Sequence, residues 1–192
     1  MRKIFFDTEF TGLHQDTTLI SIGFVTKHNQ CEDTFYAELT DYDKLQLDPW
    51  LIKNVVVNLS LDSLNGTEEQ VYNNGLCTSD QTRVHGDSSL VAKRLFYWLK
   101  PLGDVEMWSD TLAYDWVLFN QLWGHAFSIP QNVYYIPFDI ATMFKLGGID
   151  PDISREEFAQ MTDGAQKHNA LWDARVIKAC FEKLSTMERV TP

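Results

Sequence analysis

Basic residues are scarce in this 192-residue chain: 16 lysines and arginines stand against 27 aspartates and glutamates, a formal net charge of −11. Proteins that hold long duplexes by their phosphates carry a basic surface, so this balance counts against a nonspecific DNA coat. It leaves room for an enzyme that takes one strand end into a metal-loaded cleft, because bound cations reverse the local field where a phosphate sits. Cysteine is also sparse. Cys31, Cys77 and Cys180 are odd in number, far apart and without a CxxC pair. That argues against a disulfide framework or a zinc knuckle, and buried or idle thiols in a reducing cytosol are expected. No apolar stretch approaches the length of a membrane span, and Met1-Arg2-Lys3 is followed by only Ile4-Phe5-Phe6 before Asp7. Neither a membrane anchor nor a signal peptide is expected. Repeats and basic runs are missing as well. With 44% hydrophobic residues, the chain is long enough for one sizeable core and short for two, so a single domain over residues 1–192 is expected.

Periodicity gives the element order. Lys3 to Asp7, Leu19 to Lys27 and Thr34 to Leu39 are rich in β-branched and aromatic residues, with Thr11-Gly12 as turn residues in the first gap. They predict three consecutive strands in an antiparallel meander. Pro49 precedes "WLIKNVVVNL", where Leu51, Val55 and Leu59 fall at helical spacing. Ser60 to Gly86 is poor in apolar residues and reads as the longest irregular segment. Asp87 or Ser88 then caps a helix in "SSLVAKRLFYWLK", followed by a strand in "DVEMWS", a helix in "YDWVLFNQLWG" and a last strand in "NVYYIPF". Asp139 caps the short helix "IATMFKL", "SREEFAQM" adds a turn or two, and Leu171, Ala174, Ile177, Phe181 and Leu184 trace a terminal amphipathic helix. The expected fold is α/β: a mixed five-stranded sheet, antiparallel meander plus parallel strands, with helices on both faces.

Three acid-bearing segments stand out against this frame. In "FFDTEFTGL", Phe5 to Leu13, Asp7 and Glu9 share parity and project from one face of the first strand if it continues through them. Two like charges held so close repel each other, and a hard divalent cation such as magnesium or manganese is one way to make the arrangement favourable. Taken alone, D-x-E at a strand end is more often a solvated turn. "WSDTLAYDW" puts Asp115 in the first turn of a helix, where the macrodipole favours an anion whatever its function. "KHNALWDA" puts His168 five residues before Asp173, on the approach to the terminal helix. A lone histidine at that spacing is usually a surface residue.

Taken together, Asp7-x-Glu9, Tyr114-Asp115 and His168-x4-Asp173 resemble the three motifs of the DEDDh, or DnaQ-like, 3'-5' exonucleases, whose fold is ribonuclease H-like. "FFDTEF", "LISIGFV", "AYDWVLFNQLWG" and "HNALWDAR" further resemble the bacterial and phage 3'-5' exoribonuclease group typified by mycobacterial RNase AS. The resemblance spans nearly the whole chain but not Ser60 to Gly86. It implies that Asp7, Glu9, Asp115 and Asp173 hold two Mg²⁺ ions, with Mn²⁺ able to substitute, and that His168 is the general base. Asp7, Glu9 and Asp173 would bind the first ion, with Asp7 bridging to the second and Asp115 supporting it. Thr8, Phe10, Leu13 and Trp116 are candidate substrate contacts, the aromatic rings as stacking platforms and Leu13 as a wedge against the terminal base. The implied partner is a single-stranded 3' end, RNA favoured over DNA by closeness to that group, in a cytoplasmic homodimer. A 3'-5' DNA exonuclease of proofreading or repair type stays open. So does an inactive ribonuclease H-like binding module, which the presence of all four acids and the histidine disfavours.

Overall fold

The computed structural model describes residues 1–28, 31–64, 66–72, 80–162 and 167–187. Strands β1 (Arg2–Phe10), β2 (Leu19–His28) and β3 (Cys31–Leu39) form the expected antiparallel meander. β4 (Glu68–Tyr72) and β5 (Asp80–Gly86) pair with each other antiparallel, and β5 adds to β3 in parallel. On the other side β6 (Val105–Ser109) and the two-residue β7 (Phe138–Asp139) continue the sheet in parallel from β1. The sheet therefore has seven strands in the order β4-β5-β3-β2-β1-β6-β7, not the five expected.

Each departure has a local cause. The β4–β5 hairpin lies inside the segment read as irregular. Gln81, Arg83 and His85 of β5 are polar and half-buried, while Val84 is its one large apolar residue sunk into the core. With one apolar anchor, the strand leaves almost no alternation to detect. The central part of that segment, residues 73–79, lies outside the described residues. "NVYYIPF" does not form one strand. Val133 makes an isolated bridge to Val105, the chain bends at Tyr135 and Ile136, and pairing resumes only at Phe138, after Pro137. A proline has no N–H to give a ladder, so the strand is interrupted there. α1 (Pro49–Asn54) ends before the valine run and continues only as a 3-10 turn, Val56–Asn58, in keeping with the χ1 stiffness of β-branched residues. Cys180 is a buried free thiol, but Cys31 is disulfide-bonded, which corrects the expectation of three unpaired thiols. An odd count leaves room for one pair, and Cys77 lies outside the described residues.

The remaining helices are α2 (Ser88–Leu99), α3 (Ala113–Gln121), α4 (Ile140–Leu146), α5 (Arg155–Ala159) and α6 (Ala170–Thr186). The parity of β1 sorts them. Ile4 and Phe6 face a core shared with Leu95, Leu99 and Phe119 of α2 and α3, whereas Phe5 faces Phe144 of α4 and Ala174, Ile177 and Cys180 of α6. Asp7 and Glu9 have the parity of Phe5 and so point toward α6.

The N-terminus of α6 reaches the sheet at a single glycine. Gly23 is the β2 residue directly opposite Asp7, and a Cβ built on it would lie 2.3 Å from Leu171 N and 2.5 Å from Ala170 O. Only a residue without a side chain lets the helix backbone lie on the strand there. Gly23→Ala is expected to force α6 away from β2 and to lower stability by about 1–3 kcal/mol, the usual range for overpacking. Denaturant unfolding measures it, and an unchanged midpoint would show that the contact is dispensable.

Candidate active site

Strand β1 carries Asp7 and Glu9 to its C-terminal end, and the first turn of α6 brings Asp173 down onto them. One oxygen from each of the three carboxylates lies within 4.8 Å of the other two. Asn169 caps α6 by accepting from Trp172 N at 3.1 Å, which fixes where the helix begins and hence where Asp173 points. Asp115 reaches the same region from the first turn of α3, on the other face of β1. Its Oδ1 accepts from the Thr8 N–H at 3.1 Å and the Thr8 hydroxyl at 2.5 Å, and its Oδ2 accepts from the Ser109 hydroxyl at 3.0 Å. Parity explains the separation: Thr8 faces α3, while its neighbours Asp7 and Glu9 face α6. Both polar groups of Thr8 therefore orient Asp115.

The three clustered carboxylates, Thr8 and His168 line a cleft of about 490 Å³ together with Asp110, Arg155, Glu156 and Lys167. Crowding buried acids drives their pKa values up. Burial, then the charges of Asp115, Asp173, Glu9 and Asp110, hold Asp7 well above the ordinary carboxylate range. Burial followed by Asp173 and Asp115 pushes Glu9 up to about 8. Asp173 rises to about 7 through burial and Glu156, against the opposing pull of the His168 backbone N–H and Lys167. Burial lifts Asp115 to about 6 despite its hydrogen bonds from Thr8 and Ser109. Such a set is favourable at neutral pH only if protons or cations compensate it, and hard oxygen donors at this spacing suit a divalent cation.

His168 precedes the α6 cap with a left-handed φ of 62°. Asn58 holds that conformation: its amide Nδ2 donates to Lys167 O at 3.0 Å and His168 O at 3.3 Å. The exposed Trp50 packs edge-on against the imidazole, ring centroids 5.0 Å apart. Burial and then Lys167 depress the His168 pKa below its ordinary value, with Glu156 opposing, so the ring is neutral at pH 7.

Of the other candidate contacts, Phe10 stacks on Tyr114 at 5.3 Å and Trp116 on Phe119 at 5.1 Å, both packed against the α2–α3 core. Leu13 is 79% exposed on the turn after β1. None of the three lines the cleft. Sequence reasoning missed Asn58, Trp50 and the Asp110–Arg155 pair, whose two hydrogen bonds of 2.7 and 3.0 Å tie α5 to the end of β6. Only the bare presence of Asp110 beside the strand in "DVEMWS", which is β6, could have pointed to that pair.

Residues 2–185 match the family model described as the 3'-5' exoribonuclease Rv2179c-like domain. The chain belongs to that family. The family's description names a 3'-5' exoribonuclease, the activity that the segments around Asp7, Asp115 and Asp173 resemble. No curated protein matches its sequence. Similar solved structures include the Neurospora crassa Pan2 catalytic unit, protease and nuclease domain, at 18% identity and a TM-score of 0.44. That alignment covers 96% of this chain and 27% of the other, so this chain spans about a quarter of the Pan2 chain's length.

The acid cluster gives the folded chain a definite pH response. In the folded, metal-free protein the carboxylates bind protons more tightly than in the unfolded chain, so stability falls as pH rises from the unfolded values, 3.8 to 4.5, through about 6 to 8. Thermal unfolding in EDTA is expected to show a midpoint that drops across this window, with Mg²⁺ flattening the slope. A midpoint that climbs with pH in EDTA would contradict the assigned shifts.

Proposed function

We propose that the domain is a metal-dependent exoribonuclease that removes nucleoside 5'-monophosphates from the 3' end of single-stranded RNA. The observation that carries this reading is the convergence of three carboxylate oxygens within 4.8 Å in a cleft that His168 also lines. Asp7, Glu9 and Asp173 would hold one divalent cation, and Asp7 with Asp115 a second, Mg²⁺ in the cell with Mn²⁺ as substitute. When bound, such ions lower the pKa of water and offset charge on a leaving 3' oxygen.

The chain's own residues supply the rest. His168, neutral at pH 7, takes the proton from the attacking water, and its depressed pKa keeps the acceptor free. Trp50 and Asn58 fix the ring and the loop that carries it. Thr8 and Ser109 hold the Asp115 carboxylate so that it needs no reorientation when charge arrives. Leu13, exposed beside the end of β1, is the proposed contact for the terminal base, with Phe10 and Trp116 as further stacking candidates. No helix among the described residues is long and apolar enough to cross a membrane. A homodimer and a cytoplasmic, bacterial or phage setting belong to the same proposal through the sequence resemblance.

Digestion of matched 5'-labelled RNA and DNA oligonucleotides tests it. Stepwise shortening from the 3' end is expected in Mg²⁺, faster on RNA, and none in EDTA. His168→Ala is expected to slow turnover by about 10²- to 10⁴-fold, the usual worth of a general base, with Mg²⁺ binding retained. Undiminished activity in EDTA would end the metal-dependent reading, and faster DNA digestion would transfer it to a DNA exonuclease.

A further inference from the structure

Helix α6 has a cleft on each flank. The acidic one lies on the β1 side. On the β3–β5 side a second cleft of about 410 Å³ is lined by Tyr36, Asn58, Gln81, Arg83, Asn169 and Arg175, among others, with no carboxylate among the described residues that line it. In a chain with a net charge of −11, two guanidiniums lining one cavity form an unusual concentration of positive charge.

Strand register fixes the relation between the two. Asp7 pairs with Gly23, Gly23 with Tyr36, and Tyr36 with Arg83, so these four residues form one row across β1, β2, β3 and β5 on the face that α6 covers. Three strand spacings put the Arg83 backbone about 14 Å from that of Asp7. At 3.4 Å per nucleotide of a stacked strand, the gap corresponds to about four nucleotides. The wall between the clefts is the segment that carries His168. Lys167 and His168 line the acidic side, Asn169 lines the other, and Asn58 bonds to the first two while lining the second cleft.

The arginines keep donors to spare. Arg175 gives Nε and Nη2 to the same Glu32 oxygen, at 2.9 and 2.7 Å, and no bond among the described residues engages its Nη1. Arg83 is held only loosely, 3.7 Å from Glu69 and 3.4 Å from Gln81, with its side chain 43% exposed. We propose that this second cleft binds backbone phosphates of single-stranded RNA a few nucleotides upstream of the 3' end in the acidic cleft. The proposal rests on the exoribonuclease reading. It answers a problem that reading creates: cations can neutralise the phosphate under attack, but the acidic cleft repels the phosphates that follow it, and they need donors elsewhere.

The test compares release of the terminal nucleotide from ribonucleotide chains of two and eight residues in Mg²⁺, over a range of KCl, for wild type, Arg83→Gln and the Arg83→Gln/Arg175→Gln double variant. Wild type is expected to favour the longer chain in kcat/KM by about tenfold, a difference of ~1.4 kcal/mol. The double variant should lose that preference while its dinucleotide turnover stays unchanged. Its salt slope on the longer chain should be shallower by about 1.4, two phosphate contacts at ~0.7 each. Arg83→Gln alone breaks only a loose ion pair, so it keeps the fold intact and should lower the slope by about 0.7. A length preference and salt slope that survive Arg83→Gln overturn the upstream subsite while leaving the exonuclease reading standing. Wild-type protein that hydrolyses neither chain overturns both.

Discussion

The site depends on one backbone contact. Gly23 lets the first turn of α6 lie directly on β2, opposite Asp7, and this closeness puts Asp173 beside Asp7 and Glu9. Were the helix displaced by the thickness of a methyl group, the three carboxylates would no longer converge. The packing of the long C-terminal helix and the chemistry at its N-terminus are thus one constraint, enforced by Ala170, Ala174 and Cys180 as small buried residues along the same interface.

What that convergence costs is visible in the electrostatics. Burial is the leading cause of every raised carboxylate pKa in the cluster, with neighbouring anions reinforcing it. A fold that places such groups together gives up stability in the absence of compensating charge, and the compensation offered by the chain itself is meagre: Arg155 is already committed to Asp110, and Lys167 lies near Glu156. A bound cation is the natural balance to this deficit. At His168 burial and the Lys167 charge outweigh the opposing charge of Glu156, which favours the neutral ring.

The meander, the β6 strand, the helices on both faces and the caps at Asp87 and Asp139 could all be read in the sequence, because strong periodicity and short polar caps are local signals. Asp7, Glu9, Asp115, His168 and Asp173 stood out as a set only through their resemblance to the DEDDh motifs, since each segment alone reads as a solvated turn, a helix-start acid or a surface histidine. The β4–β5 hairpin was not legible, because a strand anchored by Val84 alone carries no pattern and its place is decided by pairing with β3. Asn58, Trp50 and Gly23 were equally hidden. Each acts through a contact across more than a hundred residues of chain, and nothing local marks an asparagine that braces a distant histidine or a glycine that admits a distant helix. The disulfide at Cys31 escaped for a similar reason, since pairing is a matter of spatial and not sequence proximity.

The central claim is that Asp7, Glu9 and Asp173 form a divalent-cation site assembled by the seating of α6. Manganese binding followed by the paramagnetic resonance of the free ion tests it directly, with wild type compared to Asp173→Asn and to Asp152→Asn, a carboxylate that lines the same cleft but lies outside the trio. The account predicts saturable binding in wild type, unchanged in Asp152→Asn and weakened at least about tenfold in Asp173→Asn, since losing even an outer-shell partner costs about 10- to 100-fold. Equal binding by all three proteins, or none in wild type, would contradict it.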